Sequence, residues 1–121
     1  MHNAARAYGK IAKETANPRD LESSLLLKAA AQLQAIRDNW NRAPGELDGA
    51  LLYNRKLWTI FMTSVTEDGH QLPPGVRQNI ANLGIFVLKH TLNVQSSPNP
   101  DSLKSLITIN REVAAGLRGA A

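Results

Sequence analysis

The 121-residue sequence contains no cysteine, which excludes a disulfide scaffold, thiolate metal sites and thiol catalysis. No apolar run reaches the ~18 residues of a membrane span, so membrane insertion is not expected. The opening residues, Met1 to Arg6, lack the apolar stretch of a secretory signal, and a cytoplasmic location is the expectation. There is no GxSxG elbow, no Gly-rich phosphate loop and no dinucleotide fingerprint. The three histidines, His2, His70 and His90, are far apart and none stands in a metal-ligand spacing. Two carboxylate pairs, Asp20/Glu22 and Glu46/Asp48, fall in expected first turns of helices, where acidic residues complement the dipole. Glu67/Asp68 is a third pair with nothing further to mark it as catalytic. The chain reads as a non-enzymatic protein with no metal and no cofactor.

What is present is ordinary in amount and informative in pattern. With 43% hydrophobic and 20% charged residues, the chain has the composition of one folded domain rather than a disordered one. A domain of this size hides roughly 65% of its unfolded surface on folding. The net charge of +4, from 14 Lys+Arg against 10 Asp+Glu, raises a nucleic-acid hypothesis. The cations, however, are spread along the whole chain, and no stretch is denser than Arg55-Lys56. One short ridge, Arg6, Lys10 and Lys13, stands at helical spacing. A dedicated nucleic-acid binder concentrates its charge on one face or arm, so this distribution argues against nucleic acid as the partner.

Turn signals at Asn17-Pro18, Pro44-Gly45, Asp68-Gly69, Leu72-Pro73-Pro74-Gly75 and Pro98-Asn99-Pro100 divide the chain into five segments. Within each, apolar residues recur three and four apart, the helical spacing. The pattern predicts an all-α, single-domain bundle of about five helices, near 4–14, 18–39, 44–65, 73–93 and 100–117. The second segment has the clearest start, with Asn17 as cap, Pro18 at the first helical position and Asp20 and Glu22 behind it. From Leu25 to Ile36 it is apolar on nearly every side, which predicts a central helix. In the fourth segment Val76, Ile80, Leu83, Val87 and Val94 fall in line, with Ile85, Leu88 and Leu92 beside them.

Two polar residues interrupt this pattern. Asn54 sits in the apolar face of the third segment, among Leu51, Trp58 and Phe61, and Asn110 sits likewise in the fifth, among Leu106, Ile107, Val113 and Ala114. An amide in such a place costs roughly 1–3 kcal/mol unless it is paired. Either the two amides join a buried network that fixes helix register, or one side of the bundle is a groove in which they meet a partner. Each is followed by arginine, Arg55 and Arg111.

At these residues the sequence resembles the flagellar biosynthesis regulator FlaF family. The matching stretches are Asn17-Pro18-Arg19 with Glu22, Ala50 to Trp58 with its Asn54-Arg55, Leu72-Pro73, Asn82-Leu83, Leu106 to Arg111, and Ala115-Gly116-Leu117, in order along nearly the whole chain. The resemblance implies a helical chaperone for flagellin that promotes its synthesis, secretion and export for filament assembly, acting beside FlbT, a repressor of flagellin expression. The expected partner is therefore flagellin, through its amphipathic terminal helices, with FlbT as a further candidate. The expected contacts are Tyr53, Trp58, Ile60 and Ile109 as apolar groups and Asn54, Arg55, Asn110 and Arg111 as polar anchors. Trp58 fits the core equally well. The alternative is an RNA-linked, post-transcriptional regulator of flagellin expression, working through the Arg6/Lys10/Lys13 ridge.

Overall fold

A computed structural model describes residues 17–41 and 45–119. The expected first segment, with its Arg6/Lys10/Lys13 ridge, and the expected Pro44 start of the third lie outside the described residues. Helix α1 spans Pro18–Asp38, α2 Leu47–Thr66, α3 Pro74–Ser96 and α4 Lys104–Gly119. A short 3-10 turn, Pro100–Leu103, leads into α4. The described residues contain no strand. The described residues are all-α, as the periodicity predicts, with four α-helices among them rather than about five.

The caps follow from local chemistry. The Asn17 side chain accepts from the backbone N–H groups of Arg19 at 3.0 Å and Asp20 at 3.4 Å, satisfying two donors that the first turn of α1 leaves free. Asn99 does the same for Asp101 at 2.8 Å. The α2–α3 turn passes through Gly69 at φ 80°, a left-handed conformation that glycine adopts without a Cβ clash. Arg77 closes the end of α2 from the side, its Nε donating to the Val65 carbonyl at 2.5 Å and its Nη2 to the Glu67 carbonyl at 2.6 Å.

Helix α1 is central, as its apolar run predicts: it packs most extensively on α4 and also on α2 and the 3-10 turn. Helices α2 and α3 form an antiparallel hairpin, and α3 meets α4 only lightly. Gly84 of α3 lies directly against the Met62 side chain of α2, which fills the space a Cβ would take. The α1–α4 pair is antiparallel, tied by Ser23 Oγ, which donates to the Ala114 carbonyl at 2.9 Å. Arg118 Nε in turn donates to Ser23 Oγ at 2.9 Å. At the other end Arg37 meets Asp101 at 3.7 Å. Leu26, Leu33, Leu51, Trp58, Val65, Val87, Leu103, Leu106 and Ala114 form one continuous core.

Candidate functional site

The centre of that core is polar. Asn54, Trp58 and Asn110 are all 0% exposed. The indole N–H of Trp58 donates to Asn110 Oδ1 at 2.9 Å. Asn110 Nδ2 then donates to Asn54 Oδ1 at 2.7 Å and to the Leu26 carbonyl at 3.3 Å. One amide thus ties α1, α2 and α4 at a single point. A buried tryptophan needs an acceptor for its N–H, and Asn110 supplies it. Trp58 also meets Phe61 edge-on, with ring centroids 5.6 Å apart. The chain of donors ends at Asn54 Nδ2, which has no protein partner.

Three of the eight contacts expected from the sequence, Asn54, Trp58 and Asn110, do not wall an open groove between α2 and α4; as folded they face one another inside the bundle, where Asn110 gives Trp58 an acceptor and Asn54 a donor. Of the remaining five, Arg55, Ile60 and Arg111 are exposed, and Tyr53 and Ile109 are half-buried. The structure does not gather these five at one place. Ile60 lines a shallow apolar groove between α1 and α2 with Leu25, Leu26, Leu57 and Phe61, bounded by Glu22 and Ser64. Tyr53 lies beneath the ammonium group of Lys28, 5.8 Å from its ring centroid, and burial raises its pKa above 10.0. Ile109 instead borders an open cleft with His90, Ser102, Lys104, Ser105 and Thr108.

Glu22, His70 and His90 are engaged structurally. Glu22 is buried with Arg19, N to O 2.7 Å; desolvation raises its pKa above 4.5, and the Arg19 charge and hydrogen bond oppose that rise. The sequence reading gave Glu22 to the helix dipole, and the i,i+3 spacing from Arg19 was the signal for this pairing. His70 accepts from the Leu72 N–H at 3.2 Å through Nδ1. Burial lowers its pKa below 6.5, assisted by Arg19 and Arg77 and opposed by Glu67. His90 joins α3 to the start of α4, its Nε2 donating to the Ser102 carbonyl at 2.6 Å and its ring stacking on Phe86 at 5.3 Å. Among the described residues no three His, Asp or Glu side chains gather where they could hold a metal ion. No helix among them is long and apolar enough to cross a membrane.

What the surface does carry is apolar. Leu52, Ile60, Val76, Ile85, Phe86 and Leu92 are large hydrophobic side chains turned outward, Ile60 at 65% and Leu92 at 57% exposure. Ile85 and Leu92 were not among the expected contacts, although the sequence sets them beside the α3 core line rather than in it. In a comparison with known families, the model described as flagellar protein FlaF matches residues 4–117. No curated protein and no solved structure matches the chain.

Proposed function

This chain belongs to the flagellar protein FlaF family, and from that premise we propose that it is a non-enzymatic chaperone that holds flagellin in the cytoplasm and promotes its synthesis and export. Flagellin ends in long amphipathic helices that must be covered before assembly. A folded helical bundle covers such a segment by offering apolar surface at helical spacing. The observation that carries this reading is the outward-facing set that includes Ile60, Ile85 and Leu92. Of the contacts expected from the sequence, Tyr53, Arg55, Ile60, Ile109 and Arg111 remain accessible to a partner.

The test is co-purification of the full chain with flagellin from the same bacterium, intact and with either terminal region removed. A one-to-one complex that is lost with one terminal region supports the reading. No complex between concentrated, folded partners sinks it. Salt dependence separates the RNA-linked alternative: affinity for flagellin message would fall steeply with salt, whereas an apolar helix interface responds weakly.

A further inference from the structure

Helix α3 carries more apolar surface than its packing uses. Ile80, Gly84, Val87, Thr91 and Val94 are buried against the rest of the bundle. A second line, Ala81, Ile85, Leu88 and Leu92, runs along the same helix, roughly 100° round from the first at 3.6 residues per turn. Ile85 and Leu92 are 48% and 57% exposed, while Ala81 and Leu88 are half-buried. Steps of four, three and four residues are the spacing of a coiled-coil seam. The next positions of that spacing are Gln78 and Gln95, so the apolar part is about 16 Å long, a little over three helical turns at most. Because α3 packs extensively on α2 alone among the described residues, this line is left open by them.

The charge beside the seam has one sign. Helix α3 contains no aspartate or glutamate. Lys89 is exposed, next to Leu88, and no ion pair among the described residues holds it. The Lys and Arg side chains of α3, Arg77 and Lys89, are therefore unopposed by any acid of the same helix. We propose that the Ala81–Ile85–Leu88–Leu92 seam docks an amphipathic helix of a partner whose apolar stripe is flanked by carboxylates. A second copy of this chain is a poor occupant, since its own α3 brings only further cations. The proposal rests on the chaperone reading, in which that helix is a terminal segment of flagellin.

Calorimetric titration of the full chain with purified flagellin tests it, using wild type, Ile85→Glu/Leu92→Glu, Lys89→Glu and, as a control on the α1–α2 groove, Ile60→Glu. All four replaced side chains are exposed, and circular dichroism verifies the fold of each variant. The expected result is at least tenfold weaker binding for the double variant and several-fold weaker for Lys89→Glu, with the double variant's loss larger than that of Ile60→Glu. If the double variant fails to fold, Leu92→Glu alone and Lys89→Glu carry the same comparison. Unchanged binding in every seam variant overturns the seam while leaving the chaperone reading intact, and loss confined to Ile60→Glu moves the site to the α1–α2 groove. No binding by wild type overturns both. A wild-type dimer that the double variant dissociates makes the occupant a second copy, and Lys89→Glu weakening binding to flagellin message alone makes it RNA; either outcome overturns the proposal.

Discussion

The indole N–H of Trp58 reaches the side-chain oxygen of Asn110 at 2.9 Å across 52 positions of sequence. The two residues lie in α2 and α4, helices that otherwise share little backbone proximity. Their bond, extended through Asn54 and the Leu26 carbonyl, acts as a register key: sliding α4 by one turn separates every donor from its acceptor. The expected consequence is a large loss of stability in Asn110→Ala, about 2–4 kcal/mol, since Trp58 and Asn54 are then left buried with unmet polar atoms. Trp58→Phe removes one donor and costs about 1–3 kcal/mol. Urea unfolding of both variants and of the double variant measures this. Strict additivity would argue against a shared network.

Arg77 secures the end of α2 with two nitrogens on two carbonyls, those of Val65 and Glu67. Lysine offers a point charge on a flexible stem in place of that planar fork. Arg77→Lys therefore behaves like Arg77→Met rather than like wild type, each losing about 1–2 kcal/mol. Hydrogen exchange locates the effect: faster exchange over the last turn of α2, with little change in α1.

A Cβ placed on Gly84 meets the Cγ and Sδ atoms of Met62. Overpacking of this kind costs about 1–3 kcal/mol, from which the better helix propensity of alanine recovers about 1 kcal/mol. Gly84→Ala is expected to be destabilised by about 1 kcal/mol, judged from the same overpacking range. Adding Met62→Ala relieves the collision, so the double variant is more stable than the two single losses summed. A double-mutant cycle without favourable coupling would rule this packing out.

The pH dependence has a sign that follows from His70. Its pKa in the fold is below 6.5 through burial and then the Arg19 and Arg77 charges, so the unfolded chain binds a proton on this ring more readily than the folded one. Stability from this source is complete above 6.5 and is lost as pH falls through the folded value. Glu22 acts in the opposite direction lower down: its pKa is raised above 4.5 by desolvation, so its contribution diminishes as pH rises from 4.5 through the raised value. His70→Asn is expected to flatten the stability profile on the acid side of 6.5. Urea midpoints of wild type and variant at several pH values provide the comparison, and identical profiles would remove His70 from the account.

The fold was legible wherever a local rule decided it. Asn17-Pro18 marks the start of α1 because capping and the fixed φ of proline act within a few residues. The apolar periodicity likewise places α3, although Pro74–Ser96 runs three residues past the expected end at 93. Asn54 and Asn110 were visible as misfits in apolar stripes, but whether they face each other or a partner depends on helix packing between distant parts of the chain. Periodicity alone leaves that open, and the same holds for Trp58. The Arg19–Glu22 pair and the His90 link to Ser102 also depend on what the fold brings alongside. The outer line of α3 has a clear spacing in the sequence, yet its exposure follows only from α3 lying at the side of the bundle.

Helix α1 has its largest interface with α4, and this has a consequence for synthesis. A ribosome synthesises α1, α2 and α3 before it adds Asn110. During that interval the partners of Asn110 (the Trp58 indole, the Asn54 amide and the Leu26 carbonyl) await it, and the face of α1 that belongs to α4 stays bare. Exposed apolar surface of this kind makes folding intermediates prone to aggregate. A chain interrupted before α4 keeps that face of α1, the Trp58 indole and the Asn54 amide without their partner.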